Sequence, residues 1–248
     1  MSKNLHRQYY KEYFNGLDFS YLQDNGVAPD KVKNEIKRRN TALCERNLLE
    51  KISRVECVNE EQCFELEVLY PGLVTGIGIN HEAKIEGEFK LGVHFDWTYG
   101  MPIVYGSSVK GVLKSYFNEF YSPNVDQPAN DDALYDIFEG GGKSIYNRDV
   151  FFDAVVVKAS KNNNGPILSS DSITPHGDNP LKNPVPITFL KVASGCKLEF
   201  RFKLVDTVIV KDGRTLTLTA AQKLDIFKDI LTTVGIGAKT NVGYGQLK

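Results

Sequence analysis

Hydrophobic side chains recur along the chain with the periods of strands and helices, and these periods predict its secondary structure. Four stretches have the length and pattern of β-strands: 63–70, 149–157, Ile187–Val192 and 197–206. In the first and the last, apolar residues alternate largely with charged ones, which predicts a sheet with one buried face. The stretch 149–157 is almost continuously apolar and rich in β-branched residues, which predicts a strand buried on both faces.

Two further stretches have the period of an amphipathic helix. Apolar residues recur on one helical face from Val109 to Phe120, and Ser107 or Ser108 is the predicted N-cap. A second apolar stripe covers 224–234. It is preceded by Thr219 and Gln222 at the spacing of a capping box and followed by Gly235, where a left-handed C-cap glycine is expected.

The N-terminal part, 1–52, has intermittent helical patterns, and Gly16 ends the first of them. Its second pattern opens with a group of bases: Lys31, Lys33, Lys37, Arg38 and Arg39. A solvated helix face explains these bases better than a binding role, although an RNA-binding or acid-binding helix is the alternative.

The elements follow one another as strand, helix, strand, strand, helix and a short final strand at 244–247. This order predicts an α+β protein with a ferredoxin-like core, also the frame of RNA-recognition motifs. We expect a single domain over 1–248. It consists of an N-terminal helical extension (1–60) and a core (61–248) with inserted loops near 122–147 and 158–186.

The composition limits the classes of function. The chain has 248 residues and a net charge of −1, from 30 basic and 31 acidic side chains. Such a balanced protein is not expected to coat nucleic acid, so any nucleic-acid site must be a local patch. The sequence shows no apolar run long enough for a membrane span and no secretory signal, and its four cysteines form no CxxC pair. We therefore expect a cytoplasmic protein with reduced thiols.

Residues 235–245 read GIGAKTNVGYG and form the most distinctive stretch. Glycines tolerate positive φ and let a ligand approach the backbone closely, and a run of free N–H groups beside Lys239 suits a phosphate. A second anion site is predicted where Ser107, Ser108 and Lys110 open a helix and Gly111 keeps that face low. The alternative of equal weight is a capped helix and a tight turn without a ligand.

Other chemistries have weaker support. GGGKS at 140–144 has Ile137 where a P-loop needs glycine, and neither it nor 235–245 joins a strand to a helix. His94 and Asp96 are the only close pair of possible metal ligands, so no metal and no cofactor are predicted. For acid–base ribonuclease chemistry the best candidate is His81, although an RNA-contacting or structural histidine is favoured.

The motifs together resemble a known family. They are GSSVKG (106–111), IF-x-G (137–140), FFDA (151–154) and the terminal GIGAKTNVGYG. In this order they resemble the RAMP superfamily of CRISPR RNA-binding proteins over about 64–247. TGIGINHE (75–82), TPH (174–176) and NPVPITFL (183–190) narrow the resemblance to the sixth-subunit family of type III-B (Cmr) effector complexes.

This resemblance implies a protein that binds guide RNA (crRNA) near its 3′ end, at the head of an antiviral ribonucleoprotein that captures target RNA. Its neighbours would be the first Cmr subunit and the backbone RAMP subunit, with the small helical subunit as a further contact. In that family, target cleavage is attributed to the backbone subunit and nucleotide cyclisation to a large polymerase-like subunit, whose paired aspartates (GGDD) this chain lacks.

The resemblance also implies which residues contact RNA. These are Ser107, Ser108, Lys110, Lys114, Gly235, Gly237, Lys239, Thr240, Asn241 and Gly243, with His81 as a further candidate. The sequence departs from the family at Tyr105, where proline is usual, and at Lys114, where arginine is common; lysine there keeps the charge but loses the bidentate geometry.

The sequence therefore predicts a non-catalytic guide-RNA-binding subunit. The alternatives are a metal-independent, guide-processing endoribonuclease that uses His81, and a purely structural bridging subunit whose glycine loop contacts a protein.

Overall fold

The structure is a computed structural model that describes residues 4–23, 26–45, 62–76, 83–121, 130–162, 164–174, 186–211 and 213–248. Its helices are α1 (Leu5–Arg7), α2 (Asp30–Cys44), α3 (Gly106–Phe120), α4 (Asn130–Glu139) and α5 (Ala220–Val234). Its strands are β1 (Cys63–Glu67), β2 (Phe89–Leu91), β3 (His94–Phe95), β4 (Pro102–Val104), β5 (Val150–Phe151), β6 (Ala154–Lys158), β7 (Leu168–Ile173), β8 (Ile187–Val192), β9 (Lys197–Lys203), β10 (Thr207–Lys211) and β11 (Arg214–Leu218).

The central sheet is antiparallel, with strand order β1-β9-β6-β4-β3 and with β5 also paired to β9. Leu66 of β1 lies opposite Leu198 of β9. The end of the chain extends the sheet beyond β1 by a single bridge between Leu247 and Val68, so it is shorter than a full strand. The chain order β1, α3, β6, β9, α5 and final segment confirms the predicted α+β, ferredoxin-like core.

Helices α3 and α5 pack together around an aromatic cluster centred on Phe227. The ring of Phe227 lies 5.4 Å from that of Phe202 and 6.4 Å from that of Phe117. The predicted capping box of α5 is confirmed, with Thr219 and Gln222 each hydrogen-bonding the other's backbone. The predicted strand over 149–157 is divided instead into β5 and β6, because regular strand pairing is interrupted at Phe152 and Asp153, although Phe152 still donates its N–H to Arg201 of β9.

The N-terminal extension is part of the core. Leu5, Tyr9, Tyr13 and Ile36 are buried in the same hydrophobic cluster as the sheet. α1 continues as a turn of π-helix at Gln8–Glu12. Of the helical character predicted for 1–52, the described residues therefore show α2 and shorter helical segments. Residues 46–61 lie outside the described part of the chain.

Both predicted insertions contain regular structure, which corrects the expectation of loops. Residues 122–147 include α4, which buries Ala133, Ile137 and Phe138. Residues 158–186 include β7, which joins β8 and β2 in a separate three-stranded sheet. The sequence pattern does not reveal β7, because its residues after Leu168 are mostly polar and are exposed or only partly buried. The strand therefore depends on pairing with β8.

The GGGKS stretch follows a helix rather than a strand. Lys143 forms an ion pair with Asp136 of α4 at 2.6 Å, and Gly140–142 all have positive φ. This context agrees with the rejection of a P-loop. Within the described residues, no helix is both long and apolar enough to cross a membrane.

Candidate functional site

The glycine-rich loop, residues 235–245, leaves the end of α5 and folds back on the chain just after β1. Ala238 donates its backbone N–H to the carbonyl of Val74 over 2.7 Å, and Gly245 donates to Gly72 over 2.8 Å. Gly235 has φ 73° and ψ −171°, so the predicted positive φ is confirmed but the conformation is not the left-handed helical one. The loop is therefore fixed by the backbone of residues 72–74.

Close backbone packing explains most of these glycines. A β-carbon at Gly237 would overlap the carbonyl oxygen of Val74, and one at Gly245 would overlap that of Ile236. A β-carbon at Gly235 would lie 2.5 Å from the carbonyl oxygen of Gly245. Gly243 has φ 94° but its nearest neighbour is Pro71 at 3.8 Å, so only its backbone conformation favours glycine. Internal packing, more than ligand approach, therefore accounts for the glycine content.

The expected run of free N–H groups is shorter than predicted. The protein itself accepts hydrogen bonds from the N–H groups of Gly235, Ile236, Ala238, Val242, Gly243, Tyr244 and Gly245. Among the described residues, none accepts from Lys239, Thr240 or Asn241. Gly237 likewise has no acceptor among the described residues, so it and these three consecutive residues are the donors that a phosphate could use.

Lys239 directly precedes a turn of 3-10 helix at Thr240–Val242 and has an unusual backbone conformation. It has φ 62° and ψ 31°, the left-handed region that a residue with a β-carbon enters at a penalty of roughly 1–2 kcal/mol. It makes no ion pair with another described residue. Strained positions of this kind concentrate at functional sites, so Lys239 is the loop residue with the strongest independent support for a ligand role.

The second predicted site, the start of α3, differs from the prediction in its cap. The N-cap is Tyr105, and Ser107 and Ser108 lie exposed in the first turn, so their prediction as N-caps is wrong. The cap is non-local: the Asp153 carboxylate accepts the N–H of Gly106 over 2.7 Å. Since Asp153 already neutralises part of the helix dipole, the hydroxyls of the two serines and Lys110 are the groups left for an anion.

The exposed face of α3 carries two lysines with different partners. A β-carbon at Gly111 would have no atom within 4 Å, so this face is open as predicted. Lys114 forms an ion pair with Glu139 of α4 at 2.5 Å, which occupies it in the free protein. Hydrogen bonding and charge from Lys114, with the charge of Lys110, lower the pKa of Glu139. Lys110 makes no ion pair with a described residue, so it is the better phosphate candidate.

A continuous path of contacts joins the glycine-rich loop to the start of α3. Ala238 donates a hydrogen bond to Val74. Thr75 follows Val74 in the chain, and its hydroxyl accepts the backbone N–H of His94 over 2.7 Å. The ring of His94 lies 4.3 Å from that of Tyr105, the N-cap of α3. Residues 74–75 and His94 thus bridge the two predicted sites.

His94 has an unusual environment within this bridge. It is buried, and burial lowers the pKa of its imidazole, which favours the neutral form. Its Nε2 atom is buried and has no hydrogen-bond partner among the described residues. His81, the candidate acid or base, lies outside the described residues, so its role stays a prediction.

The C-terminal end of the glycine-rich loop is held by polar contacts of Tyr244 with side chains of β7 and β8. Tyr244 donates its hydroxyl to the carboxylate of Asp171 on β7 over 2.9 Å, and Lys191 of β8 pairs with the same carboxylate at 2.5 Å. Lys191 also lies 5.5 Å from the centre of the Tyr244 ring. Burial, together with the hydrogen bond to Asp171, raises the pKa of Tyr244 to about 12. The loop is thereby anchored to the three-stranded sheet.

Comparison with known proteins identifies the family. The sequence profile of the RAMP superfamily matches residues 65–248, so the chain belongs to that superfamily. No curated protein sequence matches the chain.

Solved structures that are similar to the chain include the following three. One is the cryo-EM structure of the type III-B Cmr-beta bound to cognate target RNA, with 17% identity over 98% of this chain and 84% of that chain and a TM-score of 0.49. Another is Cmr6 from Pyrococcus furiosus, with 19% identity over 79% of this chain and 99% of that chain and a TM-score of 0.36. The third is oligomeric Cmr4 from Pyrococcus furiosus, with 12% identity over 75% and 96% and a TM-score of 0.35.

The residues that bridge and cap the site are not evident from the sequence. Thr75, Tyr105 and Asp153 act through partners far along the chain, and no local pattern marks such contacts. His94 stands out in the sequence only as half of a weak metal-ligand pair. Its position in a glycine- and aromatic-rich stretch before the GSSVKG motif is the signal that could draw attention to it.

Proposed function

We propose that this protein is a non-catalytic guide-RNA-binding subunit of a type III-B CRISPR effector ribonucleoprotein. In this proposal it lies near the 3′ end of the guide, at the head of the complex. It contacts the backbone RAMP subunit, the first Cmr subunit and the small helical subunit there. Its membership of the RAMP superfamily and the motifs described above support this proposal.

The observation that carries the proposal is the contact path from the glycine-rich loop to α3. Val74, Thr75 and His94 connect Ala238 to Tyr105, so the two groups of predicted RNA-binding residues belong to one continuous part of the molecule. The path itself runs through buried Val74 and His94, so it fixes the two groups relative to each other inside the protein. We infer that one segment of RNA backbone, lying on the surface, can meet both groups. We name this region, from 235–245 to 106–110, the phosphate surface.

The chemistry of the phosphate surface suits a sugar–phosphate backbone. Lys110 and Lys239 supply positive charge, the N–H groups of Lys239–Asn241 supply oriented donors, and Ser107 and Ser108 supply hydroxyls. Contacts of this kind position a nucleic acid without reading its bases. That property suits a subunit that must accept any guide sequence, and a net charge of −1 agrees with affinity shared among several subunits.

Crosslinking of the assembled complex tests this assignment. Guide RNA that carries photoreactive nucleotides throughout its 3′ half should crosslink to peptides that contain 107–114 and 235–245. Crosslinks in neighbouring subunits but none in these peptides would contradict the proposal. That result would favour a structural bridge in which the glycine-rich loop contacts a protein.

The absence of catalysis is tested separately. Purified full-length protein should leave labelled repeat RNA intact in the presence of a chelator. Cleavage that disappears in His81→Ala would contradict the proposal and establish the endoribonuclease instead.

A further inference from the structure

An open cavity of about 850 Å³ lies between the N-terminal segment and the turn that joins β3 to β4. We call it the Trp97 pocket. Its walls include His6, Arg7, Tyr10, Lys11, Trp97 and Tyr105. Its volume lies within the range of about 300–1,000 Å³ that is usual for ligand sites. None of these residues is explained by the core or by the phosphate surface, apart from Tyr105.

The pocket is rich in aromatic rings that remain accessible. Trp97 is 77% exposed, and Tyr10 is 43% exposed. The ring of His6 lies between them, 4.2 Å from Trp97 and 4.7 Å from Tyr10. Exposed aromatic rings that lie together, unlike isolated ones, mark sites of interaction.

The walls of the pocket are fixed before any ligand arrives. The side-chain amide of Asn4 donates to the carbonyl of Trp97 over 3.2 Å, and Leu5 donates its backbone N–H to Gly100 over 3.2 Å. The carboxylate of Asp96 accepts the N–H of Thr98 over 2.9 Å and that of Tyr99 over 2.5 Å. The turn that carries Trp97 is therefore held in one conformation, which reduces the entropic cost of binding.

The charges at the pocket suit an anion. Arg7 and Lys11 are among the residues that line it, whereas those lining residues include no carboxylate. Arg7 pairs with Glu12 through Nε at 2.9 Å, but 64% of its side chain stays exposed, so its other guanidinium nitrogens can bind a second group. Lys11 makes no ion pair with a described residue.

We propose that the Trp97 pocket binds an unpaired base of single-stranded RNA, stacked on the exposed ring of Trp97, with the adjoining phosphate held by Arg7 and Lys11. Aromatic rings beside cations are the combination that binds single-stranded nucleic acid without strong sequence preference. Tyr105 forms one wall of the pocket and precedes the first residue of α3, so the pocket opens beside the phosphate surface. The inference therefore rests on the proposed function and adds a base-binding site to it.

Trp97 is the only tryptophan of the chain, so its fluorescence reports on this pocket alone. The full-length protein is titrated with an oligouridylate and, in parallel, with an abasic ribose-phosphate oligomer of equal length. The oligouridylate should quench Trp97 as its base stacks, whereas the abasic oligomer should bind without quenching.

Variants measure the contribution of stacking by anisotropy of the labelled oligouridylate. Trp97→Ala should weaken binding roughly tenfold or more, as expected when one base can no longer stack. Trp97→Phe should restore most of the affinity. Tyr146→Ala removes another exposed ring, 79% accessible and outside the pocket, and should change nothing. An unchanged circular dichroism spectrum in each variant shows that folding is retained.

The outcomes separate the pocket from the phosphate surface. If the oligouridylate binds without quenching Trp97 and Trp97→Ala binds normally, the pocket proposal is wrong. If, in addition, Lys110→Glu with Lys239→Glu weakens that binding, the phosphate surface stands by itself. Quenching by the oligouridylate with unchanged affinity after the double lysine change supports the pocket and contradicts the phosphate surface. Crosslinking of Trp97 to a protein neighbour instead of guide RNA in the assembled complex would also overturn the pocket proposal.

Discussion

Gly237 lies directly against the carbonyl oxygen of Val74, so that a β-carbon on this glycine would overlap the oxygen. The next residue, Ala238, donates its N–H to the same carbonyl over 2.7 Å. This contact holds the glycine-rich loop beside Thr75 and, through His94, beside the start of α3. The placement of the proposed phosphate surface therefore depends on the absence of a side chain at one position.

Two alanine substitutions separate this close approach from backbone strain. Gly237 and Gly243 have φ of 95° and 94°, so alanine is similarly strained at both. Gly243→Ala should lower the free energy of unfolding by about 1–2 kcal/mol, which is the strain alone. Gly237→Ala should lower it by a further 1–3 kcal/mol or so, because it also displaces Val74. Equal decreases in denaturant unfolding would show that the contact does not constrain the loop.

The cap supplied by Asp153 can be removed without touching α3 itself. Asp153→Ala should lower the free energy of unfolding by roughly 1 kcal/mol, because the N–H of Gly106 then has no acceptor. Asp229→Ala, an exposed change on α5, is the control and should have little effect. Removal of the Asp153 carboxylate should also strengthen RNA binding, because it removes a negative charge beside the phosphate surface. Weaker RNA binding by a folded Asp153→Ala would count against phosphate contacts at this helix start.

A fully buried ion pair joins α5 to the residue that precedes β5. Lys223 lies 2.6 Å from the carboxylate of Asp149 and also donates to the carbonyl of Val205. Lys223→Met leaves the carboxylate buried without its cation and should lower the free energy of unfolding by about 3–5 kcal/mol. Lys228→Met on the exposed face of α5 is the matched control. Burial raises the pKa of Asp149, so the destabilisation should be smaller at acid pH, where the carboxyl is neutral. A destabilisation equal to that of the control would contradict this role.

The pH dependence of stability should report on Glu35. Hydrogen bonds from Arg38 and Arg39 lower the pKa of Glu35 from 4.5 to about 2, and Arg39 also donates to the carbonyls of Glu12 and Tyr13. A lowered pKa contributes stability above the unfolded value, and this stability disappears as the pH falls from 4.5 towards about 2. In Glu35→Gln, the free energy of unfolding should therefore depend less steeply on pH in this window. The exposed Glu119→Gln is the control and should leave this pH dependence as it is in the unaltered protein. The same pH dependence in Glu35→Gln and the unaltered protein would show that the pairing contributes no stability.

Local patterns are sufficient to predict much of the core. The helix that contains Val109 and the strands around Leu66 and Leu198 each bury one face, and burial of one face leaves a period in the sequence. The cap at Thr219 is predictable because its partner, Gln222, is three residues away. These features depend on neighbours along the chain, which is why they can be inferred without a structure.

The features that the sequence does not reveal depend on distant partners. Strand β7 is polar and exists because β8 pairs with it, while the cap at Gly106 comes from a residue 47 positions away. The glycine-rich loop is predictable as a tight, positive-φ segment, but its glycines serve mainly contacts to 72–74 that no spacing rule indicates. The loop sequence alone therefore overstates how many N–H groups are left for a ligand.

The central claim is that Lys110 and Lys239 hold the phosphate backbone of one guide RNA. The most direct test is the RNA content of the assembled complex that carries Lys110→Glu with Lys239→Glu. Lys161→Glu with Lys228→Glu makes the same change of charge at exposed positions after β6 and on α5, outside every predicted RNA-binding group. We predict that the first pair releases guide RNA while the subunit stays folded and assembled, and that the control pair retains it.

The salt dependence of RNA binding gives the same test in quantitative form. For the purified protein and a single-stranded RNA, neutral Lys110→Gln with Lys239→Gln should reduce the slope of log affinity against log salt by about 1.4, or about 0.7 for each phosphate that a lysine no longer neutralises. An unchanged slope, together with unchanged RNA content in the charge-reversed complex, would contradict the claim.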